Sequence, residues 1–207
     1  MEAIALVDGN NFYASCEQSI NPSLRGKPLV VLSNNDGCII ARSSEARALG
    51  IKMGVPYFKV KEKLKKEKVV VLSSNYSLYG DMSRRLMNLL AKYSEQMEIY
   101  SIDEAFLSIN RPYDNNLYPW AREIRTSIYQ KLGLNITVGI GSNKLRSKLA
   151  NKLAKKITTS SGIFDLEKIN NENDYLRKIS IEDIWGIGYQ TSKWLQSKGI
   201  KNAKELK

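Results

Sequence analysis

The chain has 207 residues, enough for one sizeable core or for two small domains. Its 32 Lys and Arg outnumber 21 Asp and Glu, a formal net charge of +11. That excess suits a polyanionic partner, nucleic acid or an acidic membrane face, although a merely soluble basic protein would also carry it. With no His and only Cys16 and Cys38, the composition argues against zinc centres, His-based acid–base chemistry and a disulfide framework, and for a reducing cytoplasm. No apolar run approaches the roughly 20 residues that span a bilayer. Met1-Glu2-Ala3-Ile4 lacks the basic start and long apolar core of a secretory signal.

In chain order, Ala3 to Val7 is a short continuous apolar run and reads as a buried strand. It ends in Asp8-Gly9-Asn10-Asn11. Asp8 at a strand exit is placed either to ligate a metal or to cap the helix predicted from Phe12 to Gln18. Lys27 to Leu32 is a second strand, and Ser33-Asn34-Asn35-Asp36-Gly37 is a turn that returns the chain through Cys38 to Ala41. Ser43 to Leu49 is a short helix closed by Gly50. Lys59 to Lys68, with six lysines against two glutamates, is a solvated helix and loop. Val69 to Leu72 is a strand, and Ser73-Ser74-Asn75 caps a long helix over 76–93 with Leu78, Met82, Leu86 and Leu89-Leu90 at helical spacing.

Met97 to Ile109 is apolar and strand-like except for Asp103-Glu104. Burying adjacent carboxylates costs several kcal/mol unless something pairs them, and hard divalent cations are the usual partner. Regular strand geometry points neighbours to opposite faces, so a shared metal requires a hairpin tip or bulge here. An exposed acidic turn is the alternative. The polar segment 110–119 is a loop, 120–132 a helix with Ile124 and Ile128 four apart, 136–140 a strand and 141–143 a turn.

Lys144 to Lys156 carries six positive charges and no acid. Leu145, Leu149 and Leu153 would anchor one face. Lys144, Lys148, Lys152 and Lys155 track a neighbouring stripe that suits a phosphate backbone or a triphosphate, unless it is a solvated face. Polar segments at 158–162 and 170–174 mark a domain boundary. Gly186 and Gly188 precede a helix to Ser197, and their backbone N–H groups could hold a phosphate, a weak motif alone. The element order predicts an α+β fold, an antiparallel sheet with helices on one face.

Five ordered motifs then become recognisable. Asp8 to Glu17 resembles the start of Y-family translesion DNA polymerases, and Tyr100-Ser101-Ile102-Asp103-Glu104-Ala105-Phe106 resembles their second catalytic motif. Ser33 to Cys38 is similar to the UmuC-type branch, the catalytic subunit of DNA polymerase V and its relatives. Gly139 to Lys144 and Ile184 to Gly188 fit in the same order.

The resemblance implies a polymerase palm, ferredoxin-like, from about 1–11 and 74–163. It implies a small fingers insert at 12–73 and the start of a thumb from 164, with a helix–hairpin–helix at about 181–207. The remaining thumb and a little finger are not in this chain. Asp8, Asp103 and Glu104, with the Gly9 carbonyl, would bind two Mg²⁺, for which Mn²⁺ can substitute. Tyr13 would be the steric gate against ribose. Asn10, Asn11, Phe12, Tyr13, Arg47 and Lys155 would bind nucleotide. Lys144, Lys148, Lys152, Gly186 and Gly188 would meet DNA. Ser44 stands where the family often has Tyr, so that triphosphate contact is weaker or passes to Arg42. Implied partners are primer–template DNA and deoxynucleoside triphosphates, with a sliding clamp and recombinase-type accessory proteins as further candidates and no membrane. The rival class is a non-catalytic nucleic-acid-binding or regulatory fragment of the same fold; a nucleotidyl cyclase is more remote.

Overall fold

The computed structural model describes residues 2–110 and 116–207. The expected loop at 110–119 falls largely on residues 111–115, which lie outside that description. The chain divides into two compact units, one of Met1–Asp8, Leu90–Thr126 and Ile136–Lys207, the other of Gly9–Leu89 and Ser127–Asn135.

The first unit is built on five strands in the order β5-β6-β1-β7-β8. They are β1 (Glu2–Gly9), β5 (Gln96–Ile99), β6 (Glu104–Asn110), β7 (Ile136–Gly141) and β8 (Ile163–Asp165). In the second unit β2 (Leu29–Leu32) lies between β3 (Ile39–Arg42) and β4 (Val70–Ser73). The helices are α1 (Phe12–Ile20), α2 (Ser44–Ala48), α3 (Tyr57–Lys66), α4 (Tyr76–Leu90), α5 (Tyr118–Leu132), α6 (Lys144–Lys156), α7 (Glu172–Leu176), α8 (Tyr189–Ser197) and α9 (Ala203–Leu206).

The central place of β1 explains its unbroken apolar run, since a strand flanked on both sides and covered on both faces has no solvated residues to alternate with. It pairs antiparallel with β6 from Glu2↔Asn110 to Asp8↔Glu104. The fold is α+β, but two pairs are parallel where an antiparallel sheet was expected: β7 with β8, and β2 with β4. Parallel neighbours need a crossover. Helix α6 supplies it for β7 and β8, and α2 with α3 fill the interval between β3 and β4. The three-residue β8 went unrecognised because Ile163-Phe164-Asp165 is too short to show a period.

Helix α6 lies so close to β7 that a Cβ on Gly139 would meet Asn151 N at 2.2 Å and Ser147 O at 2.4 Å. A Cβ on Gly141 would meet Arg146 backbone at 2.7 Å. Asn151 is buried there and donates to the carbonyl of Thr137 at 3.2 Å. The buried face of α6 is Ser147, Leu149, Ala150, Asn151, Leu153 and Ala154. Leu145, expected among the anchors, is 41% exposed, because the helix rests on the glycines through its backbone at Arg146, Ser147 and Asn151, which turns Leu145 outward. Leu149 and Leu153 continue into a cluster with Leu166, Leu176, Ile179, Ile181, Ile184, Leu195 and Ala203, which carries the chain's last forty residues on α6.

In the second unit β2 is buried throughout and forms a core with Ile39, Ala46, Ile51, Leu64 and Val69. Ser43 caps α2 through Ala46 N and accepts a hydrogen bond from Leu29 N at 3.1 Å. The stripe of α4 runs Tyr79, Met82, Leu86, with Leu78 only half-buried. Helix α5 begins at Tyr118, with Pro119 in the first turn, where the missing N–H costs no helical bond.

Candidate active site

The acidic stretch becomes a site because its two carboxylates do not share a strand. β6 starts at Glu104, and Asp103 lies in the bend before it. Tyr100 N and Ser101 N both donate to the Glu104 carbonyl, at 3.0 and 3.1 Å. Ser101 Oγ accepts from Asp103 N at 3.3 Å and Glu104 N at 3.1 Å, and donates to Asp103 Oδ1 at 2.7 Å. That hydroxyl folds the bend and lets both acids face one place. Ser101 was not singled out from the sequence; a Ser two residues before an acid in a turn is its only signal.

Across the ladder, Asp8 is the register partner of Glu104. Asp8 is buried, and burial is the main reason its pKa rises to about 6. The neighbouring charges of Glu104 and Asp103 push it further up, while Lys155 opposes them through its charge and a hydrogen bond. Asp103 is also raised, first by burial and then by the charge of Glu104, against the bond from Ser101. Three acids separated by about a hundred residues of sequence therefore share one electrostatic neighbourhood.

Each acid has a partner. Lys155 Nζ lies 2.6 Å from Asp8 Oδ2, and Lys148 Nζ lies 3.3 and 3.2 Å from the two oxygens of Glu104. Among the described residues no three or more His, Cys, Asp or Glu side chains already enclose a metal position. The donor set nevertheless fits a hard divalent cation, with all-oxygen ligands and surplus negative charge in a mostly dry place. Two ammonium groups from α6, seven residues apart and so on one face, hold that charge here.

The basic stripe, expected to suit a phosphate backbone or a triphosphate or else to be a solvated face, is paired with acids of the chain itself. Lys144 pairs with Glu98, Arg146 with Glu167 and Glu172, Lys148 with Glu104, Lys152 and Lys156 with Asp183, and Lys155 with Asp8. All six cations of α6 are thus engaged within the protein.

In the second unit, Gly9 is buried and Asn11 enters α1 in the left-handed region, at φ 49°. Asn10 accepts a bond from Ser15 Oγ at 2.7 Å and donates its N–H to Asn135 O. Phe12 is buried. The Tyr13 ring stacks on Tyr79 at 4.3 Å and 12°, and stands edge-on to Tyr76 at 6.3 Å. The Tyr79 hydroxyl is fixed by Glu17 at 2.7 Å. Arg47 and Ser44 are exposed on α2, and Arg42 donates to the Ile51 carbonyl. Gly186 has φ 89°, Gly188 caps α8, and a Cβ at either would meet nothing within 4 Å, which leaves that turn open.

This arrangement of strands and helices is the architecture of the Y-family DNA polymerases. The insertion ternary complex of Dbh DNA polymerase superposes with a TM-score of 0.81 at 31% identity, covering 97% of this chain and 58% of that one. The DinB structure from Sulfolobus solfataricus gives 0.79, also at 31%, covering 97% and 58%. The sequence profile of the impB/mucB/samB family matches residues 7–152, and the chain belongs to that family. It is 48% identical to protein UmuC of Salmonella typhimurium over 98% of this chain and 48% of that protein. It is 37% identical to DNA polymerase IV of Saccharolobus solfataricus over 95% and 56%. The chain spans about half the length of the curated relatives it matches.

Proposed function

We propose that this chain carries the catalytic centre of a translesion DNA polymerase, which adds deoxynucleotides to a primer opposite damaged template. The observation that carries the reading is the meeting of Asp8 with Glu104 across the β1–β6 ladder, beside Asp103 in the Ser101 bend. In the reaction the primer 3′-oxygen bonds to the α-phosphorus of the triphosphate as the bond to pyrophosphate breaks.

Asp8, Asp103, Glu104 and the Gly9 carbonyl would hold two Mg²⁺, or Mn²⁺ in their place. When bound, these ions would acidify the 3′-hydroxyl and neutralise the departing pyrophosphate. Lys155 and Arg47 would take the triphosphate, beside the backbone and side chains of Asn10, Asn11 and Phe12. Tyr13, held rigid against Tyr79 and Tyr76, would exclude a ribose 2′-hydroxyl. Lys144, Lys152 and the Gly186–Gly188 turn would follow the DNA backbone, contacts that position without reading sequence, whereas Lys148, turned inward to Glu104, would not join them. A palm of residues 1–11 and 74–163, fingers of 12–73 and a thumb beginning at 164 belong to the same proposal. So do cytoplasmic action and work alongside a sliding clamp and recombinase-type proteins.

The test is a chimera in which this chain replaces the matching half of Salmonella UmuC. Primer extension across a lesion with Mg²⁺ should occur, and Asp103→Ala should lower it by at least about a hundredfold. Extension undiminished in Asp103→Ala would overturn the assignment. Salt-sensitive DNA binding by the chimera with no Mg²⁺-dependent synthesis would favour a non-catalytic binding module.

A further inference from the structure

Lys148 has a second set of partners besides Glu104. Its Nζ stands 4.2 Å from the centre of the Tyr100 ring, 5.5 Å from Trp185 and 5.8 Å from Phe106. The rings form a box. Tyr100 meets Phe106 edge-on at 5.5 Å and Trp185 edge-on at 5.8 Å, and the Trp185 indole N–H donates to the Tyr100 hydroxyl oxygen at 3.1 Å. The box draws on three segments: the acidic hairpin, α6, and the Gly-x-Gly turn. Lys148 is 16% exposed, whereas Lys155 is 38% exposed. An ammonium over several ring faces is held electrostatically by the rings themselves.

The two hydrogen bonds to Glu104 occupy both carboxylate oxygens. Each oxygen keeps a second lone pair, but the ammonium 3.2–3.3 Å away repels a divalent cation that takes that carboxylate, so such an ion binds more readily once Lys148 draws back. An unsupported lysine would then lose its only partner; this one keeps three rings. We propose that Lys148 is a positioning residue, a built-in counter-ion that keeps Glu104 in the acid cluster and yields its oxygens to a divalent cation while the Tyr100–Phe106–Trp185 box retains the ammonium. The idea rests on the two-cation reading above. It adds that α6 and the hairpin aromatics set how readily Glu104 accepts an ion.

The experiment uses the 207-residue chain and measures ion binding without turnover. Mn²⁺ is titrated by the electron paramagnetic resonance signal of the free ion, for the native chain, Lys148→Met and Lys148→Arg. Methionine keeps the stem and packs against rings, so the variant should fold. Removal of the competing charge should tighten Mn²⁺ binding about three- to tenfold, and Arg should return it toward the native value. A purely structural role would lower stability and leave ion affinity equal or weaker; that result overturns the proposal and leaves the metal site standing. Absence of Mn²⁺ binding by the native chain up to millimolar concentrations overturns both. As a second readout, Mg²⁺ should change the tryptophan emission of the native chain, and Trp185→Phe and Lys148→Met should each abolish the change. A change that persists in Lys148→Met overturns the box as the ammonium's second holder.

Discussion

Asp8 shows how the metal-binding role proposed above and stability pull apart at a single residue. Its carboxyl is raised to about 6, chiefly by burial, so the folded chain binds the proton more tightly than the unfolded chain does. Stability from this group is therefore present below the ordinary carboxylate range near 4. It is lost as pH rises through about 6, and the full penalty stands at neutrality. Asp8→Asn should raise stability at pH 7.5 by up to about 3 kcal/mol, and the gain should vanish near pH 4. Urea melts at the two pH values check this; a variant less stable at both would show that the Lys155 bond outweighs burial. Tyr13 is the second residue with a clear outcome. Its ring is fixed between Tyr79 and Tyr76, so truncation leaves a space that its neighbours cannot fill by rotation. In the UmuC chimera, Tyr13→Ala should raise ribonucleotide incorporation relative to deoxynucleotide by roughly ten- to a hundredfold. An unchanged ratio removes Tyr13 from the gate. The acids and Tyr13 were legible as residue types in suggestive places. Ser101 and the ring box around Lys148 were not, because each takes its meaning from atoms that only folding brings near.

Among the elements, β7 and α6 are the most tightly joined. Gly139 faces Asn151 and Ser147 backbone with no room for a methyl group, and backbone cannot swing aside as a flexible side chain can. Gly139→Ala should destabilise the first unit by about 3 kcal/mol or more, read from urea denaturation of the chain. A loss below about 1 kcal/mol would mean that α6 shifts freely. The helix itself was predicted at its observed bounds from its leucines, yet its roll was not. Leu149 and Leu153 are buried and Leu145 is exposed because the backbone at Arg146, Ser147 and Asn151 is the part of the helix that rests on the two glycines. That preference belongs to the partner strand and is invisible in the helix's own period.

At the scale of the whole chain, a net charge of +11 still favours a polyanion, but the distribution changes the argument. The cations of α6 are bound to acids, so they add less to DNA affinity than their number suggests. Asp183 holds both Lys152 and Lys156, at 3.0 and 2.9 Å. Asp183→Asn should therefore strengthen binding to duplex DNA several-fold at low salt and steepen its salt dependence by about one to two ion equivalents. Fluorescence anisotropy across a salt series measures both; unchanged binding would place this face away from DNA. The amino-acid order by itself determined most elements, the acidic hairpin, the family and the residue types of the site, since hydrophobic period, turn residues and local motifs are properties of neighbours along the chain. Tertiary structure alone decided which acids share a field, which lysines neutralise them and where α6 rests. Those are facts of proximity in space, set by the register of β1 on β6 and by two glycines that admit a helix.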